Sequence, residues 1–450
     1  MNASKKTASL IEAGFARVDI TPTQSLPMGG YLARQSDSAG VHDLLYVKAA
    51  ALRDGEKSVL LLSFDILCLS HEWTQRLKNA ISQETGIPAR NILAAATHTH
   101  SGPQCFVPVI ARTEPVIRYE EQLLARGLEA ARKACDTLEP AALRVSRVAT
   151  TRISRDRRDP AQFPDIAVSV VRIETPSGKV RGHLVSFPCH PTVMPPSNLQ
   201  YSADLFGEAA RQVECSYRDS ICLMFNGAAA NLSTRFSRKS QTWEELERFG
   251  KLLARRIVHA SKKSVPICTR PLLTSLSTMR VPFRDILPVE QAREQYEKAA
   301  SDWNDPGRML ERSISERLLE RAAFEAAAGQ LIISQLGSWS AIFGADTAEL
   351  HLQIIRVGDL IICGLPGEFF DKRGADLAQA ASPKFGFVIG YANGYWGYFV
   401  PSMHMSAGGY EAVMSPINAS TEARTMRRMV TLVRNIKKST ASKRVPARHA

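Results

Sequence analysis

The sequence predicts an α/β protein, a single large mixed-sheet domain carrying one helical insertion. Short apolar runs of strand length alternate with amphipathic segments of helix length through most of the chain. No repeat, low-complexity block or Pro/Ser linker divides the 450 residues before a basic C-terminal segment. An apolar content of 44% against 22% charged residues is that of a chain with a large soluble core.

The elements follow in order. Ala16 to Ile20 reads as a strand stopped by Thr21-Pro22, and Met28-Gly29-Gly30-Tyr31 as a turn. Asp43 to Arg53 and Val59 to Leu69 read as paired strands, Trp73 to Glu84 as a helix, and Ile92 to Ala96 as a buried strand. Val116 to Leu138 is a long amphipathic helix. Ala142 to Val148 and Ile166 to Glu174 are strands flanking an arginine-rich loop, and a turn at Pro176-Ser-Gly178 returns the chain through His183 to Phe187. A helix around Leu205 to Val213, a strand from Ile221 to Phe225 and a helix from Trp243 to Ala260 come next. Val289 to Gln335 is almost all helix-forming and broken at Asp305-Pro306-Gly307, so it predicts a helical hairpin inserted at about 289–336. Glu349 to Val357 and Leu360 to Gly364 pair as strands, and Phe387 to Gly390 enters an aromatic loop.

The net charge of +13 does not argue for nucleic acid. After Ala423 there are nine Lys or Arg and no acid, and without them the charge is +4. The end of that segment, Lys437 to Ala450, reads as a disordered basic tail suited at most to weak contact with an anionic surface. The longest apolar run, Val59 to Leu69, is interrupted by Asp65 and too short to span a bilayer. Eight cysteines without a C-x-x-C pair read as reduced thiols, and the N-terminus has no secretory apolar block, so a cytoplasmic location is expected.

Chemistry gathers where strands end. The run Asn91 to Thr97 opens into His98-Thr-His100-Ser-Gly-Pro103. Residues i and i+2 of a strand share a face, so both imidazoles are expected in one cavity, as a metal ligand with a polar neighbour or as two hydrogen-bonded loop histidines. Phe187-Pro-Cys-His190-Pro191 seats a histidine between prolines, and Leu365-Pro-Gly367-Glu368 puts a carboxylate just past a strand. Tyr391-Ala-Asn393-Gly-Tyr395-Trp-Gly-Tyr398 is dense in hydroxyls for a core loop. Gly227-Ala-Ala-Ala-Asn231 is a small-residue turn that could present amides to a carbonyl oxygen or simply pack closely. Two histidines, a glutamate and a tyrosine make a possible N/O zinc site, and by composition and spacing alone the reading stops at a metal hydrolase.

The order of these motifs resembles the neutral/alkaline non-lysosomal ceramidase family. Gly14-Phe-Ala-Arg-Val-Asp19-Ile-Thr-Pro22, Pro27-Met-Gly-Gly-Tyr31, Gly40-Val-His42-Asp43, the H-T-H-S-G-P run, Cys189-His190-Pro191, Ser202-Ala-Asp204-Leu-Phe-Gly207, Pro366-Gly-Glu368, the aromatic loop and Tyr410-Glu411-Ala412 occur in the family's sequence. The resemblance implies one zinc ion per chain held by His98, His190, Glu368 and Tyr398, the last standing twelve residues before Tyr410 as in the family. It implies His100, Tyr410 and an arginine at the scissile amide, best matched by Arg155, with Arg157 the alternative register. Asn393, Tyr395 and Gly227 are the expected substrate contacts, and His42 and Asp43 either orient a ligand or cap a turn.

The function so implied is zinc-dependent hydrolysis of an N-acyl amide of ceramide type, by attack of zinc-bound hydroxide, within sphingolipid and lipid metabolism. The chain departs from the family in having Gly227-Ala-Ala-Ala-Asn231 where ceramidases carry a serine, and the family's C-terminal β-sandwich has no counterpart after Tyr410. An esterase or lactonase on a small soluble substrate, or a non-catalytic binding protein of the same fold, are the competing expectations.

Overall fold

The computed structural model describes residues 10–34, 36–107, 112–305 and 312–439. Most of its strands form two sheets, beside three two-stranded pairs. The larger, nine-stranded and mixed, runs Ile221–Asn226, Val180–Phe187, Ala167–Glu174, Glu139–Ala149, Ile11–Asp19, Tyr46–Asp54, Lys57–Phe64 and Ile92–Ala96, with Val265–Pro266 also paired to Glu139–Ala149. The pairs at its two ends are parallel and those between them antiparallel. The smaller sheet orders Leu272–Pro282, Thr347–Val357, Leu360–Gly364 and Phe385–Ile389.

The two sheets face each other and helices cover their outer surfaces. Alternation along single strands shows it. Val59 and Leu61 enter the core between the sheets, where they join Ile355, Leu360, Ile362 and Phe387. Leu60, Leu62 and Phe64 point the other way, onto Trp73 and Leu77 of helix His71–Thr85 and Leu123 of helix Glu114–Asp136. Val168 and Val170 likewise meet helices Asp204–Ser216 and Trp243–Lys262, while Ile361 and Cys363 meet Leu377 of helix Asp371–Ala381 and Met429 of helix Ala419–Lys438. Burial on both faces explains why these strands read as continuous apolar runs.

The large sheet curls until its ends meet. Lys48 Nζ lies 3.0 Å from the carbonyl of Cys222, and Ser63 Oγ donates to the carbonyl of Met224 at 2.5 Å. Asn226 Nδ2 then donates to the carbonyls of Cys189, at 3.0 Å, and Thr97, at 3.5 Å. Three strand ends distant in sequence are thereby fixed together, and each leads into a site residue.

Three of the longer elements escape the sequence expectations. Leu272–Pro282 is a strand whose mixture of Thr, Ser and apolar residues hides a half-buried face. Helix Asp371–Ala381 buries only Leu377 and Ala381. The basic C-terminal segment is not a tail throughout, because Ala419–Lys438 is a helix burying Met426, Met429, Leu432, Val433 and Ile436. The rest of the expected tail, 440–450, lies outside the described residues, as does the 306–311 break in the insertion. The insertion is otherwise helical over Val289–Asn304 and Ile314–Gln335, followed by the short helix Trp339–Phe343.

Candidate metal centre and substrate cavity

His98 and His100 converge, but by a different route from strand alternation. The strand ends at Ala96, and His98 has φ +68°, a left-handed conformation uncommon for a non-glycine residue. That turn swings the two rings together, with Nε2 atoms 3.4 Å apart. Strained backbone of this kind persists where surrounding bonds over-determine it. Here the amides of Thr97 and His98 donate to the carbonyls of Phe64 and Ile66. Gly30, at φ +100°, lets the N-terminal turn cross over His100, since a Cβ there would lie 2.5 Å from the imidazole.

His190 is fully buried beyond Phe187. The Gly227–Asn231 turn serves it through a carbonyl and not through amides. Ala229 O and Leu232 O lie 2.9 and 3.1 Å from His190 Nδ1, whereas the Ala230 and Gly227 amides are used by the carbonyls of Phe369 and Phe187. Glu368 follows Gly367, where φ +149° and a close approach to Gly397 O exclude a Cβ. Its carboxylate lies among the imidazoles, Oε2 at 2.9 Å from His190 Nε2 and Oε1 at 3.7 Å from His98 Nε2.

The donor set fits a divalent cation. His98 Nδ1 faces the carbonyl of Leu67 at 2.8 Å, and His190 Nδ1 faces two carbonyls, so both carry their proton on Nδ1. Their Nε2 lone pairs therefore point at a carboxylate that has only lone pairs to offer. His190 Nε2 is buried and, apart from its contact with Glu368, has no partner among the described residues. Such a meeting of acceptors is costly without a positive charge between them. Burial, with the neighbouring imidazoles and Arg157, holds His98 down at about 3 and His100 and His190 below their ordinary range. Burial opposes ionisation of Glu368, yet the positive charge nearby, that of Arg157 included, holds the carboxyl below its ordinary range. Neutral imidazoles and an ionised carboxylate are the protonation states a zinc site needs.

Tyr395 and Tyr391 hold that carboxylate from behind, their hydroxyls donating to Oε1 at 2.6 Å and Oε2 at 3.2 Å. Tyr391 also stacks on His98 at 4.1 Å. Tyr395 lines the cavity, as expected of a substrate contact, but its hydroxyl is spent on Glu368. Tyr395→Phe is accordingly expected to weaken metal binding roughly 10- to 100-fold while leaving the fold intact, measured by competition with a chelating dye. Unchanged affinity would remove Tyr395 from the support of the site.

The arginine at the centre is Arg157. Its Nη2 donates to Tyr398 Oη at 3.0 Å and its Nε to Glu411 Oε1 at 2.8 Å. Arg155, the preferred match from sequence, is turned away toward the carbonyls of Pro160 and Phe236 and stacks over Phe163. The chain pairs Leu232 with Asp156 and then leaves the strand, which sends Arg157 inward. Tyr410 stands edge-on to Tyr398 at 6.1 Å and lines the same cavity. Glu411, unremarked in sequence beyond its motif, binds both Arg157 and Arg158 at 2.8 Å.

Two other expected substrate contacts are not in the cavity. Asn393 is buried behind it, bonded to Lys78, the Ala94 amide and Gln353. Gly227 packs on Pro188. His42 stacks on Trp243 and pairs with Asp43, which accepts the Ala203 amide at the start of helix Asp204–Ser216. A further group, His71, Glu349 and His351, gathers on the far side of the aromatic loop. Glu349 is there engaged by Arg280 and His351, and its carbonyl accepts Trp396 Nε1, so the group braces the loop.

Two cavities meet at the centre. One, of about 100 Å³, is apolar and lined by Leu32, Leu67, Val107, Trp339, Phe343 and Met414. The other, of about 320 Å³, is more polar and bounded by Arg157, Arg235 and helix Ile314–Gln335. Gly30, Tyr31, His100, Tyr398 and Tyr410 line both. The helical insertion thus walls the larger cavity, and the short helix Trp339–Phe343 that follows it walls the apolar one.

Residues 11–234 match the family described as neutral/alkaline non-lysosomal ceramidase, N-terminal, and the chain belongs to this family. Two solved structures share its fold. A ceramidase complexed with C2 matches with a TM-score of 0.74 at 18% identity, over 99% of this chain and 78% of that one. The neutral ceramidase from Pseudomonas aeruginosa matches with a TM-score of 0.74 at 18% identity, over 98% of this chain and 77% of that one. No helix among the described residues is long and apolar enough to cross a membrane.

Proposed function

We propose that this protein is a zinc-dependent amidohydrolase of ceramidase type, cleaving the linear amide of a lipid-like N-acyl substrate. The observation that carries this is the convergence of lone-pair-bearing His98 and His190 on an ionised Glu368, at the point where an apolar and a polar cavity join. His98, His190, Glu368 and Tyr398 would hold one zinc ion per chain, with His100 beside them. A bound zinc ion supplies a water acidified toward neutrality and a Lewis acid for the amide oxygen.

The chain's own groups supply the remaining chemistry. Water adds to the carbonyl carbon, the C–N bond breaks, and a water proton passes to the leaving nitrogen, giving a carboxylic acid and an amine. His100 lines both cavities, and its buried Nδ1 has no hydrogen-bond partner among the described residues, so it would be free to move that proton. Arg157 and Tyr410, which line the cavity, would stabilise the negative charge that develops on the oxygen. Glu411 keeps Arg157 in place. No serine is required, in keeping with Ala228–Ala230 at the turn behind His190. Ceramide is the amide named by the family, and sphingolipid turnover in the cytoplasm is the corresponding setting.

The test is release of free amine from N-acetylsphingosine and N-octanoylethanolamine by zinc-loaded protein, beside esters of the same acyl groups. Amide cleavage abolished by chelation and restored by zinc is expected. Cleavage of the esters alone would replace this reading with an esterase.

A further inference from the structure

The polar cavity is unbalanced in charge. Five arginines line it, Arg157, Arg158, Arg235, Arg238 and Arg321, against the carboxylates of Glu325 and Glu411. Arg157 and Arg158 share Glu411, and Arg321 pairs with Glu325 at 2.9 Å. Arg238 is held by the carbonyl of Thr192 at 2.6 Å and by Thr234 Oγ1 at 3.3 Å, with no carboxylate. The guanidinium of Arg235 makes no hydrogen bond and no ion pair among the described residues, although the side chain is half-buried in the cavity wall. Burial, reinforced by the charge of Arg157, pulls its pKa down to about 10, so it stays cationic at neutral pH.

A planar cation with five donors, drawn into a cleft and left unpaired, is a recognition element for an oxyanion. The surrounding charge raises the local concentration of anions over neutral competitors. A ceramide amine half carries hydroxyls and a hydrocarbon chain, and neither calls for this. The apolar cavity on the other side of His100 is where a hydrocarbon chain fits.

Resting on the amidohydrolase reading above, we propose that the substrate is an N-acyl amide whose amine half carries an anionic group, bound by Arg235 with Arg238, while its acyl chain enters the apolar cavity walled by Trp339 and Phe343. Hydrolysis of such an N-acyl amino acid yields a fatty acid and a free amino acid, with the C–N bond replaced by a C–O bond from water and the nitrogen taking the proton.

The probes are N-octanoylglycine and N-octanoylethanolamine, which share acyl chain and amide and differ in the carboxylate. The wild-type, zinc-loaded protein is expected to favour the glycine amide in kcat/KM by roughly ten- to a hundredfold. That preference should shrink with added salt, collapse toward parity in Arg235→Gln and persist in Arg235→Lys. Equal or better cleavage of the ethanolamide by wild type, or an unchanged preference in Arg235→Gln, would overturn the proposal while leaving the amidohydrolase standing. Cleavage of neither amide, nor of N-acetylsphingosine, would sink the amidohydrolase reading, and calorimetric binding of N-octanoylglycine would then decide whether Arg235 recognises the anion. Weaker binding in Arg235→Gln supports it and equal binding overturns it.

Discussion

His98→Ala is expected to strip the protein of bound zinc and to lower amide hydrolysis by roughly a thousandfold or more. His98 sits where three imidazoles and a carboxylate meet, its ring set by the Leu67 carbonyl and by Tyr391 stacked against it. Alanine removes a neutral nitrogen donor and leaves the negative charge of Glu368 opposite His190 with less to bind. Elemental analysis of wild type should find near one zinc per chain, and the variant should hold far less at equal folded content. A wild type that stays metal-free after zinc is supplied would end the hydrolase reading and favour a binding protein. A variant that keeps its zinc would remove His98 from the ligand set.

The second large effect concerns stability as well as activity. Glu411→Ala should destabilise the protein by about 3–5 kcal/mol, the usual result of leaving a buried charge uncompensated. Glu411 is 2% exposed and receives both Arg157 and Arg158, so its loss strands two guanidiniums against the cavity. Burial opposes the Glu411 charge, but the two arginines outweigh it and hold the carboxyl below the ordinary glutamate range. A carboxyl lowered in the folded state contributes stability above its unfolded pKa and loses it as pH falls through the folded value. The gap between variant and wild type should therefore be full at pH 7 and narrow in acid, as read by urea unfolding. A gap under about 1 kcal/mol would mean that solvent already screens the pair. Because Arg157 also reaches Tyr398, kcat should fall in the variant with less change in KM.

Much of this molecule is legible along the chain, for a local reason. The strand Ile92–Ala96 and the long helices, such as Glu114–Asp136 and Trp243–Lys262, announce themselves because burial on a strand or helix follows a short period. The histidine after each strand, the Pro-Gly-Glu turn and the tyrosine-rich loop stand out because polar residues interrupt apolar runs there. Their order is also what marks the family. Leu272–Pro282 and the C-terminal helix were harder to see. The first mixes small polar and apolar residues at half-buried positions, and the second combines a narrow apolar stripe with a strongly basic face.

The order of residues specifies the elements and the chemical groups at their ends. Which of those groups meet follows from how the chain folds. Arg155 and Arg157 are two residues apart, Arg155 is the better match in the sequence, and the pairing of Asp156 with Leu232 turns Arg157 inward instead. The imidazole tautomers depend on carbonyls of Leu67, Ala229 and Leu232, and a carbonyl is present at every residue, so no side-chain pattern signals it. Glu411 and the unpaired Arg235 become meaningful only once the large sheet has curled and the helical insertion has closed over its ends. Periodicity records how much of each side chain is buried, a local property, while a site depends on contacts between segments hundreds of residues apart.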